Sequence, residues 1–155
     1  MHVRRWPGIL FYGVVVLVLA VDQLTKAWAM ASLRPVGMVA LVPGFLNLTF
    51  VRNTGIAFGM FAGQGWLVAA FMIGLAAVAL YYSRGLNWRG WEPNVVGGAL
   101  VGGALGNLLD RSRLGYVVDF FDVYIGSYHW PVFNVADSLI CIAVGWIVVR
   151  QFGRP

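Results

Sequence analysis

Charge is scarce in this chain. Of its 155 residues only 11% are charged while 60% are hydrophobic, and the mean hydropathy is +0.77, a composition that excludes an ordinary soluble domain and calls for lipid as a solvent. Cysteine is nearly absent: Cys141 stands alone, which excludes a disulfide framework or a thiolate metal cluster built within the chain. The two histidines, His2 and His129, lie at opposite ends without metal-ligand spacing. They read as tail and interfacial residues, and no metal is expected. Internal repeats and low-complexity tracts are missing as well. The formal net charge of +5 sits at the edges of apolar runs instead of along one stripe, which is the pattern of membrane orientation and not of nucleic-acid binding.

What the chain does have is long apolar runs. Four of them, residues 8–33, 65–82, 94–111 and 135–150, come near the roughly 20 residues a helix needs to cross a bilayer. The first could be mistaken for a secretory signal, because Ala27, Ala29 and Ala31 make A-x-A patterns. Asp22 and Lys26 would then fall just before the cut, which argues against cleavage. Arg4 and Arg5, Arg84 and Arg89, and Arg150 and Arg154 fall on one side of the four runs. The positive-inside rule then puts both termini and the middle loop in the cytoplasm and the two longer connections outside.

Those outer connections carry a second periodicity. Leu46, Leu48 and Phe50 alternate with Asn47, Thr49 and Val51, and a similar alternation runs from Tyr116 to Tyr124 before a turn at Gly126 and Ser127. This is strand period, and the two segments are expected to pair, using the helix ends or the lipid headgroups as their second layer. Trp66, Tyr81, Tyr82, Trp88, Trp91 and Trp130 sit where interfacial aromatics anchor a membrane protein. Gly98, Gly102 and Gly106, with Gly97 and Gly103 beside them, form small-xxx-small patterns that allow close helix packing. The fold class expected is an all-α membrane protein, four transmembrane helices with a small extracytoplasmic β element, in a single domain over residues 1–155.

Against this apolar background the polar residues need reasons, since an ionisable group in a span costs several kcal/mol. Asp22 and Lys26 are four apart and share a helix face, as an ion pair that is either a local contact or part of a site. Asn53 stands in a polar turn, Arg52-Asn53-Thr54-Gly55, where by residue type alone a helix-cap role is the leading reading. Asn107 and Arg111 share another face; Asp110 beside Arg111 reads as a solvated helix end, whereas Asn107 lies one turn deeper. Asp119 and Asp137, each embedded in apolar residues, fall at the same expected depth. Two close carboxylates cannot both ionise cheaply, so one keeps a proton while the other acts as base, an arrangement suited to activating water. Asn134 and Asp137 also resemble a capping box at the start of the last helix, and both readings can hold. A helix N-terminus favours negative charge, which assigns Asp137 as the ionised partner and Asp119 as the protonated one. From the residues alone, a proton relay, a small proton-coupled transporter or a scaffold with structural polar contacts stay open beside a catalytic pair.

The ordered blocks resemble a known family. Asp-Gln-x-Thr-Lys at 22–26, Asn-x-Gly-x-Ala-Phe at 53–58, Gly-Gly-Ala-x-Gly-Asn-x-x-Asp-Arg with Gly-x-Val-x-Asp-Phe at 102–120, and Phe-Asn-x-Ala-Asp-Ser at 133–138 look like those of the bacterial lipoprotein signal peptidases, or signal peptidase II. The resemblance implies an intramembrane aspartyl endopeptidase that removes the signal peptide from diacylglyceryl-modified prolipoproteins just before the lipid-bearing cysteine. It implies Asp119 and Asp137 as the catalytic pair, with Asn53, Asn107, Arg111 and Asn134 lining the site and Asp22 and Lys26 supporting it. The outer strands would form a cradle on the membrane surface, and the segment after Asn53 a short gating helix. Ile56 replaces an alanine frequent in the family, a departure that touches only local packing. No cofactor is implied. The expected setting is the bacterial cytoplasmic membrane, with lipids and prolipoproteins as partners, a monomeric chain and the site toward the extracytoplasmic side.

Overall fold

The computed structural model describes residues 8–55 and 90–152. Three helices, α1 (Ile9–Ser32), α2 (Trp91–Leu114) and α3 (Val135–Phe152), alternate with four strands, β1 (Met38–Val42), β2 (Leu46–Asn53), β3 (Val117–Ile125) and β4 (Tyr128–His129). The expected run at 65–82, the segment after Asn53 proposed as a gating helix, the residue at 56 and the arginines at 4, 5, 84, 89 and 154 lie outside the described residues.

The helices form where the apolar runs predicted them. Helix α1 has 24 residues, about 36 Å at 1.5 Å per residue, and among the described residues it is the one helix long and apolar enough by length and composition to cross a membrane. Helix α2 overshoots its apolar run by a turn at each end, from Trp91 to Leu114. Glu92 lies in its first turn and Arg111 and Arg113 in its last, charges that complement the helix dipole and let the helix continue past the apolar stretch. Gly115 ends it in the left-handed conformation at φ 80°, its N–H donating to the Arg111 carbonyl, which closes the helix and turns the chain into β3.

Glycine decides how closely these helices meet. Gly98 and Gly102 face Val14 and Val18 of α1, and a Cβ at either would stand 2.8 Å from the valine Cβ. Gly106 faces Asp22, whose carboxylate would overlap any added carbon, while Gly103, on another face, lies against the Ala136 carbonyl and Ile140 of α3. The four-residue spacing on α2 thus matches the four-residue spacing of Val14, Val18 and Asp22 on α1. One row of missing side chains brings a charged residue of α1 against the backbone of its neighbour.

The sheet, ordered β1-β2-β3-β4, joins the two segments whose alternation has strand period. Strand β2 pairs antiparallel with β3, Leu46 opposite Val123 and Asn53 opposite Val117, as the alternation predicted. Strands β3 and β4 close through Gly126, at φ 61°, and Ser127, a two-residue hairpin loop of the kind that needs positive φ. Strand β1 is an addition to the expectation; its apolar run does not alternate, and all five of its residues are exposed. The second layer of the sheet is the helix ends. Val118 and Phe120 of β3 are buried with Ala29 and Leu33 from the end of α1, and Leu114, Val135, Leu48 and Phe50 pack around them. Full burial of one such aromatic stabilises by about 1.5–3 kcal/mol. Away from the sheet the helices turn apolar side chains outward: Ile9, Val16 and Leu24 on α1 and Ile142, Ile147 and Val149 on α3 are exposed.

The glycine row gives a direct test. Gly102→Val forces carbon into the α1–α2 contact and is expected to cost about 1–3 kcal/mol, whereas Gly13→Ala, with nothing within 4 Å of the added Cβ, should be neutral or stabilising by about 0.5–1 kcal/mol. Thermal unfolding in detergent separates the two; equal midpoints would contradict the packing.

Candidate active site

The polar residues singled out in the sequence converge where the three helices meet β3. Lys26 is at the centre with 1% of its side chain exposed. Its Nζ lies 2.9 Å from Asp22 Oδ2 and 3.1 Å from Asp110 Oδ2, and it donates to Asn107 Oδ1 at 2.8 Å. An ammonium has three hydrogens to place, and three acceptors surround it. Gln23 adds a second bridge, its Nε2 donating to Asp110 Oδ1 at 2.9 Å and Asp22 Oδ2 at 3.2 Å. Asp22 and Lys26 therefore share a helix face as their spacing predicted, but in the interior and not at a surface.

Asn107 carries this network to Asp137. Its Oδ1 accepts from Lys26 and, at 3.2 Å, from Asn134 Nδ2, which fixes the amide so that its Nδ2 donates to Asp137 Oδ1 at 2.7 Å. Asn134 is fixed in the same way. Its Oδ1 accepts the Asp137 N–H at 2.9 Å, and its Nδ2 donates to Asp119 Oδ1 at 2.7 Å. The Asn134 N–H in turn donates to Asp137 Oδ2 at 3.2 Å, completing the reciprocal capping box that the sequence suggested. Asn53, the last residue of β2, donates from Nδ2 to Asp119 Oδ2 at 2.8 Å while its Oδ1 accepts the Gly55 N–H at 3.0 Å. It caps a turn and touches the carboxylate at once. Each of the four carboxyl oxygens of Asp119 and Asp137 thus receives one N–H, three from side-chain amides whose orientation a second partner dictates and one from the Asn134 backbone.

Asp119 is 1% exposed. Burial pushes its carboxyl up to about 7, aided by the charge of Asp137, while the hydrogen bonds from Asn53 and Asn134 and the charge of Lys26 work the other way. Desolvation of the anion and a like-charged neighbour outweigh two amide donors. Arg111 is partly buried beside the pair, with Nη2 donating to the Gly55 carbonyl at 2.9 Å and Nη1 to the Asn107 carbonyl at 3.4 Å. It ties the turn after Asn53 to α2.

All eight sequence-derived candidates, Asp22, Lys26, Asn53, Asn107, Arg111, Asp119, Asn134 and Asp137, belong to this one cluster. Asp110 departs from its expected role. Instead of a solvated helix end it is 3% exposed and pairs with Lys26, because α2 runs on to Leu114 and β3 folds back over it, the Val118 N–H donating to Asp110 Oδ2 at 3.1 Å. Gln23 was also missed; its place one residue after Asp22 in an apolar helix was the available signal. His129, read as interfacial, is half-exposed on β4, its Nδ1 2.7 Å from Asp122 Oδ1 and its ring stacked on Tyr124. It stands apart from the cluster. Among the described residues no group of three or more His, Cys, Asp or Glu side chains has the arrangement to hold a metal ion.

A family model described as signal peptidase (SPase) II matches residues 14–153. The lipoprotein signal peptidase of Shewanella piezotolerans (strain WP3 / JCM 13877) is 40% identical over 149 residues, covering 94% of this chain and 87% of the relative. That of Thermodesulfovibrio yellowstonii (strain ATCC 51303 / DSM 11347 / YP87) is 43% identical over 143 residues, covering 90% and 92%. Two solved structures, both described as bacterial membrane enzymes, are similar with TM-scores of 0.81 and 0.83. They share 31% and 30% identity and cover 97% and 99% of this chain and 93% and 100% of their own.

Removing the central cation should be severe. Lys26→Met leaves Asp22 and Asp110 buried without a counter-charge, and breaking a buried ion pair in this way typically costs about 3–5 kcal/mol. The expected result is a large fall in the unfolding midpoint and in the yield of folded protein; a midpoint near that of the wild type would show that the network is not closed to water.

Proposed function

The chain belongs to the signal peptidase II family, and from that premise we propose that it is an intramembrane aspartyl endopeptidase whose catalytic pair is Asp119 and Asp137. Membership makes it a protease of the bacterial membrane that acts in lipoprotein processing. The finer reading is that it cuts diacylglyceryl-modified prolipoproteins immediately before the lipid-bearing cysteine. The observation that carries it is the set of four oriented N–H groups on the two carboxyls. Each oxygen keeps one further lone-pair direction, and these are the positions open to a water, a shared proton and a peptide carbonyl.

In this reading the ionised Asp137 takes a proton from water as the hydroxide adds to the scissile carbonyl carbon, and Asp119 gives its proton to the carbonyl oxygen. The tetrahedral intermediate then collapses: the C–N bond breaks, the departing amine takes the proton held by Asp137, and the new acid's hydroxyl returns a proton to Asp119. The pair ends as it began, with no cofactor. The raised proton affinity of Asp119 and the helix N-terminus beneath Asp137 favour this division of roles. Exclusion of bulk water strengthens each charge term. Asn107, Asn134 and Asn53 orient the carboxyls, and the guanidinium of Arg111 suits a substrate carbonyl.

The same reading makes α1, α2, α3 and residues 65–82 four membrane spans of one domain, with both termini cytoplasmic and the sheet and catalytic pair toward the extracytoplasmic side. The supporting pattern is that the buried acids of the three described helices, Asp22, Asp110 and Asp137, meet toward the sheet, where a lipid-anchored peptide would present its scissile bond; the buried Asn94 lies at the other end of α2. A transporter would hold its acids near midplane. The chain acts as a monomer in contact with lipids and prolipoproteins.

Three outcomes are expected. Purified in detergent with a diacylglyceryl-modified prolipoprotein, the wild type cleaves while Asp119→Asn and Asp137→Asn do not, because an amide serves neither as general base nor as acid; cleavage by either variant removes that residue from the pair. The sign of the pH dependence follows from Asp119: it holds its proton below about 7 and loses it as pH rises through that value, so kcat/KM should fall on the alkaline side. A rise through neutral pH would make Asp119 the base. Reporter fusions at Arg89 and Ser127 should report opposite faces of the membrane, and a shared face would break the topology.

A further inference from the structure

The two carboxylates on Lys26 do something that an ion pair alone does not require. Asp110 Oδ2, besides meeting Lys26, accepts the N–H of Val118 at 3.1 Å. Asp22, besides meeting Lys26, accepts on Oδ1 the N–H of Ala136 at 3.2 Å. Val118 immediately precedes Asp119 on β3, and Ala136 immediately precedes Asp137 in the first turn of α3. The two proposed catalytic residues sit on different elements, yet the backbone just before each is held by a carboxylate, and both carboxylates converge on one ammonium.

We propose that Asp22, Lys26 and Asp110 form a positioning clamp, in which one buried cation draws together two carboxylates that fix the backbone before each catalytic aspartate and so set the spacing of the pair. The proposal rests on the assignment of Asp119 and Asp137 as that pair. A second carboxylate on a single lysine adds a desolvation penalty without balancing charge, so its presence calls for a task, and the grip on Val118 supplies one. Gln23 reinforces the clamp by donating to both carboxylates. Rigidity at this place has value because a displacement of about 1 Å in a reacting group can lower a rate by about a hundredfold. The three side chains bond to one another, to Gln23 and Asn107 and to backbone N–H groups, not to the carboxyls of Asp119 or Asp137. They are positioning residues.

The test uses Asp110→Asn and Asp22→Asn in the full-length enzyme, with the diacylglyceryl-modified prolipoprotein as substrate. Each variant leaves Lys26 with one carboxylate, a balanced pair, so both should fold. The clamp predicts that kcat falls by about a hundredfold while KM changes by less than about twofold, the signature of an interaction made in the transition state. It also predicts a shift of the alkaline limb of the pH profile to lower pH. Asp119 is held up partly by Asp137, and faces Lys26 from α1 and Arg111 from α2. Loosening the pair weakens the repulsion and leaves the cations less neutralised, and both changes favour the anion. A merely structural role would lower the yield of folded enzyme and leave kcat per folded molecule as it was, whereas the pH profile moves with the lost carboxylate charge in either case. That result overturns the clamp, as would failure of both variants to fold. If Asp119→Asn or Asp137→Asn still cleaves, the assignment of the pair has failed; if those are inactive and the clamp variants keep full kcat, only the clamp has.

Discussion

A single buried ammonium organises this molecule. Lys26 has lost its water, and the three acceptors that replace it come from two helices, Asp22 from its own turn of α1 and Asp110 and Asn107 from α2. Desolvating an ammonium is affordable only with close, well-directed counter-charges, so the distance between these helices is dictated at the site itself. Everything around it follows from that demand. The glycines of α2 let the backbone come near enough, and the last turns of α1 and α2 are left to carry β3 across the charged residues as a cover. Val117, Val118, Asp119 and Phe120 are buried in succession, which departs from the one-sided burial of an ordinary surface strand.

Orientation is the second product of the network. An amide can flip, and a flipped Asn107 would present its carbonyl to Asp137. It is prevented by two donors on its Oδ1, and Asn134 and Asn53 are constrained in the same way by backbone N–H groups. Three neutral side chains thereby become directional donors toward two acids. Preorganisation of this kind requires no rearrangement when charge develops. The acids need not touch to be coupled, since the Asn134–Asn107 link connects them.

The sequence made much of this legible, for identifiable reasons. Acids and amides in apolar helices are expensive, so Asp22, Lys26, Asn107, Asp119 and Asp137 announce themselves by their surroundings. Asn134 with Asp137 has the spacing of a capping box, and the alternation at 46–51 and 116–124 placed the paired strands. Asp110 was concealed by its neighbourhood: next to Arg111 and Ser112 at the end of an apolar run it has the look of a solvated terminus, and only the return of β3 over the helix end buries it. Gln23 stood in the Asp-Gln-x-Thr-Lys block, but nothing in its own stretch of chain shows that it bridges Asp22 to Asp110 on another helix. Strand β1 was invisible because its signal is an unbroken apolar run exposed on both faces, whereas strand recognition relies on alternation. What local pattern cannot carry is the tertiary partner, and Asp110 and Gln23 each owe their roles to partners distant in the chain.

The start of α3 has one more consequence. Helix N-termini ordinarily attract anions through their unpaired N–H groups, and a lipid bilayer surrounds a protein with phosphates. Here the N–H groups of Ala136 and Asp137 are already committed to the Asp22 carboxylate and the Asn134 amide, and the Asp137 carboxylate adds its own negative charge in the same turn. An outside anion approaching this end would have to displace one bound acid while being repelled by another. The internal carboxylates thus act as resident anions, and they occupy the N–H groups at the entrance to the last helix that an outside anion would otherwise seek.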